Sequence, residues 1–220
     1  MRFAQELSTV KQFFQVLVEM LPCVYKDTDM KLKNLLVSLL MLSPLGAAHA
    51  NDNEVIIKAY FEQQIEPWVS DEALLSAVRV RNVMHKDLTN DDVIAQDKQW
   101  RAEVETDTHP LVDGVLKSDA ADFLRHRVAE AGGSITEIFV MDAKGLNVAA
   151  SSATSDYWQG DEPKHSETFV KGVGAMHISD LEVDSSTGLY QVQVSVTLTD
   201  PNTNEAIGAI TVGLVADAIL

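Results

Sequence analysis

Apolar and polar positions repeat with two different periods along this chain. From Asn53 to Ala131 the apolar residues recur every three to four positions, the spacing of an amphipathic helix; beyond Ile135 they alternate every second position, as in a strand. Asn53 can cap a first helix carrying Val55, Ile56, Ala59, Tyr60 and Phe61, which Pro67 ends. Ser70, with Asp71 and Glu72 in the first turn, opens a second, and Thr89 or Asn90 caps a third. Thr108-His109-Pro110 breaks the pattern, Asp119 starts a fourth helix, and Gly132-Gly133 stops it. Strands are then expected at Ile135–Met141, Leu146–Ser151, His177–Val183, Tyr190–Thr199 and Ile207–Val215. Turns fall at Asp142–Gly145, Asp184–Gly188 and Asp200–Asn204, and a long excursion runs from Ala153 to Met176. The expectation is a two-layer α+β domain, with N-terminal helices (53–131) on a five-stranded antiparallel sheet (135–217).

The fourth of these strands is the most informative. Tyr190, Val192, Val194, Val196 and Leu198 point one way, and Gln191, Gln193, Ser195 and Thr197 point the other. The second face is polar yet uncharged, whereas faces meant only for bulk water commonly carry Lys and Glu. Amides and hydroxyls in a row suit a lined pocket; a plain exposed sheet face is the other reading.

Upstream, Lys31 and Lys33 precede an apolar run from Leu35 to Leu42. Pro44 and Gly46 break it, and Ala48-His49-Ala50 forms an A-x-A cleavage site. Residues 30–50 are therefore expected to be a signal peptide, cleaved after Ala50, with the mature chain in the periplasm. The run is shorter than the ~20 residues that span a bilayer. Met30 looks like the true start, which makes residues 1–29 either a start-site artefact or a leader extension.

Composition narrows the chemistry. The only cysteine, Cys23, lies before the cleavage site, so residues 51–220 have no thiol chemistry and no disulfide. The first 50 residues hold 5 of the 17 basic and 4 of the 33 acidic side chains, which leaves residues 51–220 at a net charge of −17. Such a surface repels phosphate backbones and argues against nucleic-acid binding.

Several segments together resemble a Cache/PDC-type (extracellular PAS-like) sensor domain. They are the strand and turn Ile138-Phe139-Val140-Met141-Asp142-Ala143-Lys144-Gly145, the strand Asn147-Val148-Ala149-Ala150-Ser151, the segment Asp156-Tyr157-Trp158-Gln159-Gly160-Asp161-Glu162, and the closing strand Ile207-Gly208-Ala209-Ile210-Thr211-Val212-Gly213. The likeness covers roughly Asn53 to Leu220. It implies a long N-terminal helix behind a five-stranded sheet, and a pocket for amino acids, amines or carboxylates lined by the central strands and the stretch after the second strand. Cache domains usually sit between two membrane helices and feed a cytoplasmic output domain. Here the resemblance implies a stand-alone periplasmic form that signals through a membrane receptor or transporter subunit.

The candidate ligand-binding residues are Tyr157, Trp158, Asp161, Glu162, Lys164, Asp180, Gln191, Gln193 and Ser195. The aromatic pair can stack on a ligand, the carboxylates can hold a cation, and Lys164 can pair an anion. Trp158 and its neighbours are expected to roof Gln191, Gln193 and Ser195. Asp200, Asn202 and Asn204 alternate like half a calcium loop, but Glu205 and Thr211 stand where that loop needs Gly and Glu, so a hairpin turn is expected. The histidines show no ligand spacing, although His165 and His177 could meet in space. No nucleophile elbow, zinc helix or phosphate loop occurs, so neither an enzyme, a cofactor nor a metal is expected. The functional expectation is a periplasmic small-molecule sensor, with a ligand-independent interaction module as the alternative.

Overall fold

The computed structural model describes residues 46–183 and 188–220, with side chains from Asn53 onward. The chain divides into two compact units, residues 1–49 and 50–220, and the second carries the sheet. The expected leader lies outside the described residues except for its last five positions, and so does most of the expected Asp184–Gly188 turn.

Helix α1 spans Gly46–Tyr60 and widens into a π turn at Phe61–Ile65 before the short α2, Glu66–Val69. Pro67 has no N–H to continue the regular ladder, and it sits at the start of α2 rather than ending the helix. Helix α3 is Glu72–His85. Its cap is Asp71, whose carboxylate accepts from the Ala73 N–H at 2.9 Å, one residue later than expected. Helix α4, Asn90–Val104, opens on a reciprocal capping box between Thr89 and Asp92. A short α5, Pro110–Leu116, follows the predicted break and was not anticipated, and α6 is Asp119–Glu130.

The strands are β1 (Ile135–Asp142), β2 (Asn147–Ala150), β3 (Met176–Ile178), β4 (Glu182–Val183), β5 (Tyr190–Asp200) and β6 (Glu205–Val215). Within the excursion lie α7, Pro163–Ser166, and a 3-10 turn, Phe169–Lys171; α8, Ala216–Ile219, follows β6. All pairings are antiparallel, in the order β2-β1-β6-β5-β3, with β4 also on β5. The single third strand expected from the sequence is thus split in two. The α+β class holds, with helices on an antiparallel sheet.

Strand alternation sorts the core into two clusters. Ile138, Val140, Val192, Val194, Leu198, Ile210, Val212 and Leu214 face α1, α3 and α6. Phe139, Met141 and Ala209 face the other way, onto Val93 and Trp100 of α4, Val112 and Val115 of α5, and Tyr157. The sheet is therefore covered on both faces, where a two-layer domain was expected. Ser195 and Thr211, on the side of β5 and β6 that is polar in sequence, are fully buried.

Candidate functional site

The site is built on β5 and β6. Ser195 is fully buried and its hydroxyl lies 2.9 Å from that of Thr211, its register partner on β6. The Gln191 carbonyl oxygen accepts from the Thr136 hydroxyl at 2.8 Å, and the Gln193 amide donates to Glu137 at 3.0 Å. Gln191 is buried and Gln193 half-buried. Thr197 is also buried, but its hydroxyl has no hydrogen-bond partner. A buried hydroxyl without a partner is costly in a native interior and marks a place where polar chemistry is incomplete.

Helix α7 and the 3-10 turn pack on β5 and β6, and Lys164 over Phe139 puts them on this face of the sheet. Thr168 and His165 point inward and are buried. The Thr168 hydroxyl donates to the Lys164 carbonyl at 2.6 Å, so it is satisfied within the cover itself. His165 stacks on Phe169 at 5.1 Å, and its Nε2 lies 3.2 Å from the Asp142 carbonyl. Its Nδ1 faces the Gly160 backbone without a well-formed hydrogen bond. Burial holds the imidazole below its ordinary pKa against the pull of these carbonyls, so it is neutral near pH 7. Lys164 lies 5.4 Å over the Phe139 ring and 3.0 Å from Glu162. The cover thus rests on the sheet mainly through His165, Phe169 and Lys164, and its other hydrogen bonds are largely local. Gly172 and Gly174, with φ of 100° and 79°, end it in a conformation that side chains resist.

Not every expected site residue comes together. Tyr157–Gln159 runs beyond β2: the Asn147 N–H donates to the Tyr157 carbonyl, and the Gln159 N–H to that of Gly145. That places Trp158 at the opposite side of the sheet from β5, with β2, β1 and β6 between them. Trp158 therefore does not roof Gln191, Gln193 and Ser195. Its indole donates to the Lys144 carbonyl at 2.9 Å and borders a separate hollow of about 270 Å³ with Asn90, Val93, Ile94 and Lys144. Tyr157 is wholly buried and stacked on Trp100 at 5.4 Å, which makes it part of the core. Asp161 is exposed, Glu162 is engaged by Lys164, and Asp180 borders a different cleft next to α1.

A second buried polar group went unread in the sequence. His85 Nδ1 lies 2.5 Å from Asp142 Oδ2, and both residues are buried. The other Asp142 oxygen accepts the Lys144 and Leu146 N–H groups, closing the β1–β2 turn. Burial pushes the Tyr157 hydroxyl up to about 12, and that hydroxyl also has no partner. Nothing in the local sequence pairs His85 with Asp142, because they are 57 positions apart. The Asp200–Asn204 segment is the expected hairpin turn: Asp200 accepts from the Asn202 N–H, and Asn204 takes a φ of 56°. Among the described residues no cluster of metal-ligating side chains occurs.

The chain is similar to solved bacterial sensor domains. One is the sensor domain of the histidine kinase DctB from V. cholerae, at 12% identity and a TM-score of 0.43, covering 79% of this chain and 55% of that one. Another is the ligand-binding domain of the Campylobacter jejuni chemoreceptor Tlp3 in complex with 4-methylisoleucine, at 12% identity and 0.36, covering 82% and 64%. The same receptor domain in complex with L-valine gives 10% identity and 0.37, covering 81% and 66%. This chain thus spans between 55% and 66% of the length of those three. No family model and no curated protein matches it. Identity and superposition are both low, and what the site can do follows from its own geometry. No helix among the described residues is long and apolar enough to cross a membrane.

Proposed function

We propose that the protein is a periplasmic small-molecule sensor. A solute, such as an amino acid, amine or carboxylate, enters between the polar face of β5 and β6 and the segment 163–171. The resulting shift of that segment is read by a separate membrane receptor or transporter subunit. One observation carries this reading: the hydroxyls of Ser195, Thr197 and Thr211 lie buried on the face where α7 packs on β5 and β6, and that of Thr197 is left unpartnered. A face meant only for structure would be filled with apolar side chains, as the opposite face of β5 is. A ligand that touches both sheet and cover shifts the population of covered and uncovered states by its differential affinity for them.

A thermal-shift screen over amino acids, amines, organic acids and purines tests this. A true ligand at about one hundred times its Kd stabilises the chain by about 2.7 kcal/mol, which raises Tm by roughly 5–10 °C for a domain of this size. The expected hit loses most of its shift in T197V and keeps it in W158A. No shift from any compound, or equal shifts in T197V and the parent, contradicts the proposal.

A further inference from the structure

A larger cleft lies on the other face of the sheet, at its β3 edge. It holds about 470 Å³ and runs between α1 and the stretch Met176–Leu181. Part of its wall is apolar, with Ile57 from α1, Val192 from β5, and Met176 and Ile178 from β3, while Asn53, His177 and Ser179 also line it. Its rim is charged. Glu54 and Lys58 pair with each other at 2.6 Å, so the exposed Asp180, with Glu182 just beyond it, leaves the rim acidic.

β3 is an end strand of the sheet. The Ser179 N–H donates to the Gln193 carbonyl, and the Thr197 N–H donates to that of Ala175. In an antiparallel ladder this alternation turns the backbone N–H and C=O groups of Met176 and Ile178 away from β5. An open edge of this kind is a template for one more strand, and proteins normally blunt it. Here it borders a partly apolar cleft with an acidic rim. Main-chain groups give such a site its affinity, and the alternating pockets and charges give its selectivity.

We propose that this edge cleft binds an extended cationic peptide, which adds to β3 as a further strand, lays apolar side chains against Ile57 and Ile178, and sets a Lys or Arg against Asp180 and Glu182. The site is separate from the polar face under α7, and the two can fail independently.

The test is fluorescence anisotropy with a labelled Lys-Val-Lys-Val-Lys peptide, its acidic counterpart Glu-Val-Glu-Val-Glu, and two analogues of the former. One analogue is N-methylated at both valines and the other at the central lysine. A strand directs alternate N–H groups at its neighbour, so one analogue should lose about tenfold or more in affinity and the other little. D180N combined with E182Q should weaken binding several-fold, D87N, which removes an exposed carboxylate elsewhere, should leave it unchanged, and the acidic peptide should not bind. Equal losses in both analogues, equal binding of the acidic peptide, or no saturable binding below about 1 mM overturns the proposal.

Discussion

Thr197 is the side chain on which the site reading turns, because its hydroxyl is buried and unpaired while its neighbours Ser195 and Thr211 satisfy each other. Replacing it by the isosteric valine removes an unsatisfied group. T197V should therefore leave the apo chain as stable as the parent or up to about 1–2 kcal/mol more stable, as read by urea denaturation, while solute binding falls. A loss of stability would mean that the hydroxyl is already used. His165 gives a second residue-scale prediction. Its folded pKa is depressed by burial, so the unfolded chain binds the proton more tightly. Its contribution to stability is full above an unfolded value of about 6.5 and is lost as pH falls from there toward the folded value. Between pH 7 and 5, H165F should lose less stability than the parent. Parallel pH profiles would show that the ring titrates as though exposed. In the sequence these two residues had unequal visibility: Thr197 stood in a legible alternation, whereas His165 was one histidine among several without ligand spacing.

At the scale of elements, alternation and caps were legible because they are local. The polar and apolar faces of β5, the Thr89 cap, the break before Pro110 and the Gly145 turn all appear in the structure, the last with a φ of 80°. What packs on each face was not legible, since that depends on partners distant in sequence. Trp158 shows this well: its aromatic-acidic segment reads as a roof for β5, but hydrogen bonds from Asn147 and Gln159 tie it alongside β2. The third strand was misjudged for a related reason. It splits at Ser179–Leu181, where the Ser179 hydroxyl takes the Gln193 N–H and replaces a ladder bond. The turn itself offers an element-scale test. A side chain at Gly145 would both strain the backbone and press on Gly160. G145A should cost at least about 1–3 kcal/mol by chemical denaturation and loosen the Trp158 segment, seen as a shift in tryptophan emission. An unchanged stability would place the turn elsewhere.

For the whole molecule, the acidic balance of residues 51–220 argues against nucleic-acid partners but says nothing of the site. The α+β class followed from the switch in hydrophobic period, while the cover on the second face of the sheet did not. That cover comes from α4, α5 and the excursion, whose apolar residues fit either face until the chain is folded. The central claim is that the segment 163–171 opens over a sheet that stays closed. Native-state hydrogen exchange read by mass spectrometry measures this most directly, because the N–H groups of Glu167, Thr168, Lys171 and Gly172 are hydrogen-bonded within the cover. The account predicts that these amides exchange through a local opening well below the global unfolding free energy, while those of β5 and β6 exchange only with global unfolding. Identical exchange of cover and sheet, both limited by global unfolding, would contradict it.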